Sequence, residues 1–159
     1  MIRVTIIALA KLKEKYLKEA VAEYEKRLSR YAKLDIIELD PVRLPDNPNQ
    51  TQINDALNKE MQDILKKIPS GSKTVAMCIE GKQMPSEALA KMISDAEMSS
   101  GSITFIIGSS YGLCEDLKKQ CDIRLSVSPM TFPHQLFRVM LLEQIYRAFK
   151  INEGSAYHK

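Results

Sequence analysis

The groups best able to do chemistry concentrate in one stretch, Ser126–Lys150: SVSPMTFPHQLFRVMLLEQIYRAFK. It opens like a strand end, turns at prolines, and runs into an apolar helix that also carries His134, Arg138, Glu143 and Arg147. A histidine placed there can take a proton near neutral pH. An arginine stays charged, so Arg138 suits stabilising a developing anion better than accepting a proton. The plainer roles are a His134 that hydrogen-bonds nearby backbone, and a His158 that sits in a solvated polar tail, Tyr157-His158-Lys159. Arg138 and Arg147 lie about two and a half helical turns apart. One chain cannot bring both to a single hydrogen-bonded site, but they could flank an anionic groove at a seam between two chains.

A second constellation is Gly108-Ser109-Ser110-Tyr111-Gly112, which matches G-x-S-x-G after a strand-like run. In a small serine hydrolase Ser110 would be the nucleophile, with Asp116 or Asp122 and His134 or His158 downstream. The chain is short for that fold and has no H-G-G-G oxyanion loop. The plainer reading is a glycine turn that lets a ligand approach the backbone. Ser70-Gly71-Ser72-Lys73-Thr74 lacks the leading glycine of a phosphate loop. Cys78, Cys114 and Cys121 are odd in number and form no C-x-x-C pair. They suggest neither a disulfide framework nor a zinc site, so no metal is expected and a reducing cytoplasm is.

The elements that must position these residues alternate in period. Strand patterns fall at Val4–Ala10, Leu34–Leu39, Lys73–Ile79, Ile103–Ile107 and Ile123–Val127. Helical patterns fall between them. One places Leu17, Ala20, Val21, Tyr24 and Leu28 on one face. Another, capped at Thr51, points Ile53, Leu57, Met61, Ile64 and Leu65 inward. A third covers Ser86–Met98, and a short one lies near Glu115–Gln120. The alternation predicts one α/β domain over residues 1–159, a parallel sheet with helices on both faces. Its ligands would bind at the carboxyl ends of the strands, where Glu80–Lys82, Gly108–Leu113 and Ser126–Pro133 form loops. Pro133 fits the first position of the last helix, with Thr131 or Phe132 near its cap. That helix is apolar over more than one stripe, from Leu136 to Phe149. A surface helix needs an arc of only about 100°, so a second copy of the chain is the expected cover. The alternative is a helix sandwiched within one chain.

The chain has 159 residues, 45% hydrophobic and 27% charged, with a formal net charge of +3. That tolerates an anionic partner without demanding one. The apolar N-terminal run is followed at once by Lys11, Lys13 and Lys15, which favours a first strand over a signal peptide. No run approaches the roughly 18 apolar residues of a membrane span.

FIIGSSYGL at 105–113, SVSPMTFPHQLFRVMLLEQIYRAFKI at 126–151 and YHK at 157–159 closely resemble the RlmH family, SPOUT-class methyltransferases of large-subunit ribosomal RNA. IIALAKLKEKY, AEYEKRL and IEGK extend the resemblance over the whole chain. It implies an α/β sheet whose C-terminal part is tied in a deep trefoil knot, S-adenosylmethionine as methyl donor, and a homodimer. It implies N3-methylpseudouridine in 23S rRNA as product and the assembled ribosome as substrate. By motif, Met77, Gly108, Val127, Ser128, Pro129, Met130, Thr131 and Phe132 would hold the donor. His134, Arg138, Tyr157 and His158 would be the catalytic candidates, with Lys159 on phosphate. The family's second glycine after the fourth strand is Ser109 here, a strained choice if that position needs a positive φ. A non-enzymatic ribosome-binding module of the same fold is the further alternative.

Overall fold

The computed structural model describes residues 1–159. Five strands, β1 (Ile2–Ala8), β2 (Ala32–Glu38), β3 (Lys73–Gln83), β4 (Ser102–Ile107) and β5 (Ile123–Ser126), alternate with five helices. These are α1 (Lys15–Leu28), α2 (Gln50–Lys67), α3 (Ser86–Ser99), α4 (Glu115–Gln120) and α5 (His134–Asn152). All strand pairs are parallel, in the order β2-β1-β4-β3-β5. The central strands are apolar on both faces because helices cover both. On β1, Ile2, Val4, Ile6 and Ala8 face a cluster of 23 buried residues shared with α1, α3 and α5. Ile7 and Leu9 face a smaller cluster of 8 that includes Ile64 of α2 and Leu117 of α4. The result is three layers, as the alternating periods predict.

Several boundaries move for local reasons. β1 starts at Ile2 and ends at Ala8. α2 is capped by Asn49, not Thr51: its side chain accepts the Gln52 N–H, and the Gln52 side chain accepts the Asn49 N–H, a reciprocal box. Ala56, Glu60 and Ile64 form its buried stripe, and Leu65 is exposed. Glu80-Gly81-Lys82 does not end β3. The strand shifts register against β5 between Met77 and Lys82 and runs on to Gln83. A Cβ at Gly81 would lie 2.8 Å from the Arg124 and Leu125 backbone, so only glycine allows this approach. Pro133 is the N-cap of α5 and His134 its first residue. Arg138, Leu141, Leu142, Ile145, Ala148 and Phe149 make one buried stripe on α5, which packs between α1 and α3. Leu136 stays 40% exposed.

Candidate functional site

The connection from β3 leads to β4 on one side, and the chain then returns past β3 to place β5 on the other. Such a reversal leaves a crevice at the carboxyl ends of the strands. Here it is a cavity of about 300 Å³, within the range of small-molecule sites. Three segments build it: Met77–Glu80 from β3, Ile107–Leu113 after β4, and Leu125–Phe132 after β5, closed by His134 and Phe137 of α5.

The turn after β4 folds tightly on itself. The Gly112 N–H donates to the Ser109 carbonyl at 2.8 Å, and Gly112 has φ of 82°. A Cβ at Gly108 would sit 2.5 Å from the Gly112 carbonyl, so the turn closes only over a glycine. Ser109 is buried, and its hydroxyl donates to Glu60 Oε1 at 2.9 Å. The only non-glycine residue with positive φ is Asn47, so serine at 109 carries no such strain.

The loop after β5 is different. Residues 127–132 make no backbone–backbone hydrogen bond. Two local bonds shape it: Ser126 Oγ donates to the Ser128 carbonyl at 3.1 Å, and the Met130 N–H donates to Ser128 Oγ at 2.9 Å. Its remaining amides and carbonyls are available to a ligand, beside apolar walls from Met77, Ile107, Leu125 and Phe132. That combination suits an aromatic base held by backbone groups next to a soft, polarisable centre.

One edge of the cavity is charged. Lys118, with a largely buried side chain, pairs with Glu80 and lies 3.4 Å from Glu115, which also pairs with Arg124 at 2.9 Å. The hydrogen bond from Lys118 holds the Glu80 carboxyl below its usual range. Burial, reinforced by Glu80, pushes the Cys78 thiol up, so it remains protonated. His134 lines the cavity half-buried and makes no side-chain hydrogen bond within the chain. Burial pulls its pKa below the ordinary value, so the imidazole is neutral at pH 7.

Met77, Gly108, Val127, Ser128, Met130, Thr131 and Phe132 thus meet at the cavity with His134. Pro129 belongs to the same loop without lining it. Arg138, Tyr157 and His158 are elsewhere. Arg138 is buried and donates to Glu38 Oε2 at 2.6 Å and to the Ala10 carbonyl at 2.8 Å, while its Nε has no partner. Tyr157 hydrogen-bonds Glu143, and its ring lies 4.9 Å from the Arg147 guanidinium. His158 contacts Glu87 at 2.6 Å and Arg147 at 3.2 Å. No hydrolytic triad assembles: Ser110 is exposed and hydrogen-bonds neither histidine, and Asp122 is engaged by Thr74. Glu80 and Tyr111, which line the cavity, belong to the loops expected to bind a ligand, whereas sequence reasoning missed Lys118 and Phe137. It also missed Glu60, whose signal was an acid on an otherwise apolar stripe.

Residues 2–158 match the family described as "Predicted SPOUT methyltransferase". The chain is 50% identical over 157 residues to the ribosomal RNA large subunit methyltransferase H of Clostridium kluyveri, covering 98% of this chain and 99% of that one. It is 48% identical over 158 residues to the protein of the same name from Streptococcus suis, covering 99% of each. Among solved structures, a "probable methylase family protein" from Haemophilus influenzae Rd KW20 superposes with a TM-score of 0.53 at 13% identity, covering 98% of this chain and 70% of that one. That likeness speaks to the fold alone.

Proposed function

The chain belongs to the SPOUT methyltransferase family, and on that premise we propose that it is an S-adenosylmethionine-dependent methyltransferase of large-subunit ribosomal RNA. Its near-full-length relatives carry that substrate in their names. The finer reading, from the motifs at 105–113 and 126–151, is methylation of N3 of a pseudouridine in 23S rRNA on the assembled ribosome. The observation that carries the proposal is the cavity whose 127–132 backbone, mostly without partners, faces apolar walls beside a neutral histidine.

The cavity residues fit the donor. Gly108 brings backbone close, the 127–132 amides and carbonyls would read an adenine edge, and Met77 and Phe132 would flank a sulfonium. Pro129 would stiffen the loop that carries these groups. When bound, the donor supplies an electrophilic methyl group. N3 of the target base carries a proton, and its lone pair must be freed to attack. His134, neutral and unpaired, would accept that proton onto an imidazole nitrogen as the N–CH₃ bond forms and the donor's S–CH₃ bond breaks to leave a neutral thioether. The apolar walls exclude water and hold the base in line.

Arg138, Tyr157 and His158 enter this reading differently. A homodimer would carry the 157–159 tail of one chain toward the cavity of the other, with Tyr157 and His158 on the base and Lys159 on phosphate. Support comes from apolar residues left uncovered: Val127 at 42% and Met130 at 74% exposure on the cavity wall, and Leu136 at 40% on the first turn of α5. Arg138 would stabilise the base anion only after release from Glu38, so its structural role is the stronger. The trefoil knot belongs to the same proposal, with the loops after β4 and β5 as its crossing segments. No helix is long and apolar enough to cross a membrane.

The deciding test is methyl transfer to ribosomes that lack the modification, with base-level mapping of the product. Methylation at a pseudouridine N3 is expected. Methylation at another atom would remove the finer reading, and no transfer with intact donor binding would favour a non-enzymatic ribosome-binding module.

A further inference from the structure

Glu60 is 4% exposed, yet no lysine, arginine or histidine lies within ion-pair distance of it. A carboxylate taken out of water is costly unless hydrogen bonds replace the lost solvent. Glu60 has two such bonds. Its Oε1 accepts the Ser109 hydroxyl at 2.9 Å, and its Oε2 accepts the Val42 N–H at 2.9 Å. Ser109 is in the turn that lines the cavity, and Val42 is in the connector between β2 and α2. The turn closes on itself through Gly108 and Gly112. The Ser109 side chain is the hydrogen bond that fixes this closed unit to α2.

We infer that Glu60 is a positioning residue for the methyl-donor site, acting through Ser109 to hold the 108–112 turn at the depth the donor needs. The inference rests on the reading of the cavity as that site. Glu60 does not line the cavity and touches no reacting atom. Its reach is through the turn, so losing it frees the turn as a body and leaves the sheet and α2 in place. A glutamine can replace it. The amide oxygen accepts from Val42, and the amide nitrogen donates to the Ser109 hydroxyl, which reverses its role from donor to acceptor. What the site requires is therefore the two hydrogen bonds, not the charge.

The test uses the full-length protein and S-adenosylmethionine itself, measured by calorimetry, with amide exchange of residues 109–113 followed without ligand. Glu60→Ala is expected to weaken donor affinity about tenfold, the worth of about one hydrogen bond that no longer fixes the turn. Exchange should quicken in the turn while the amides of β1 and β4 keep their protection. In turnover the donor KM rises by the same factor and kcat at saturation stays within about twofold. Glu60→Gln restores affinity and exchange. Ser109→Ala, which cuts the same bond from the other end, reproduces the loss and serves if Glu60→Ala is too unstable to purify. A folded Glu60→Ala with wild-type affinity and exchange would overturn the inference alone. So would a Glu60→Gln as impaired as Glu60→Ala. A wild-type protein that binds no donor would instead overturn the reading of the cavity, and the inference with it.

Discussion

Gly108 and His134 carry the sharpest consequences of single side chains. A methyl group at position 108 meets the Gly112 carbonyl at 2.5 Å, backbone that cannot swing aside. Overpacking of that kind costs about 1–3 kcal/mol, so Gly108→Ala should weaken donor binding about fivefold or more by calorimetry. For His134 the folded pKa lies below the unfolded value of about 6.5 because burial disfavours the charged ring. The unfolded chain therefore binds more protons as pH falls. The stability this residue contributes is complete above about pH 6.5 and is lost below it. Denaturation midpoints at pH 5.5 and 7.5 should differ less in His134→Gln than in the wild type. The same variant should lower methyl transfer and flatten its acid limb. Most of this residue-level picture was legible. The prolines, the glycines and His134 sit in runs whose types announce a ligand turn. Arg138 was not legible in the same way, because its type suggests anion chemistry and nothing local reveals Glu38, a hundred residues distant in the chain.

Elements show why that ion pair exists. The first turn of α5 is fastened to the segment after β1: Arg138 reaches the Ala10 carbonyl, and Gln135 Oε1 accepts the Lys13 N–H at 2.9 Å. Glu38, at the end of β2, accepts both Arg138 and the Leu12 N–H. Burial alone would push its carboxyl up, but these donors hold it below the usual range. The two partners are unequal, with side-chain exposures of 3% for Arg138 and 35% for Glu38. Glu38→Ala strands a buried guanidinium and should cost about 3–5 kcal/mol in chemical denaturation. Arg138→Met leaves a carboxylate that water can reach and should cost less. On α2, Asn49→Ala removes a reciprocal cap and should cost about 1 kcal/mol. Strand and helix existence followed from period, whereas boundaries depended on partners. Glu80-Gly81-Lys82 reads as a turn by composition, yet the approach of β5 to Gly81 keeps it in the sheet.

At the scale of the molecule, α5 reconciles two expectations. Packing between α1 and α3 buries the stripe from Arg138 to Phe149 within one chain. What remains uncovered is a smaller set of apolar residues, Val127 and Met130 at the cavity and Leu136 on the first turn of α5, which the proposed dimer would cover. Leu136→Asp is expected to shift sedimentation from dimer to monomer and to abolish methyl transfer while the far-ultraviolet spectrum is kept. A wild type that sediments as a monomer at assay concentrations would remove the dimer from the account. The layered sheet was predictable because every strand announces its period. Threading of one segment through another has no period, and only the motif resemblance suggested it. The four-residue β5 has a consequence in time. It is an edge strand and the last made, it is paired only to β3, and it supplies one wall of the crevice. A refolding polypeptide would regain its central ladder first and its capacity to capture ligand afterwards. Fluorescent nucleoside uptake should therefore lag circular dichroism during renaturation.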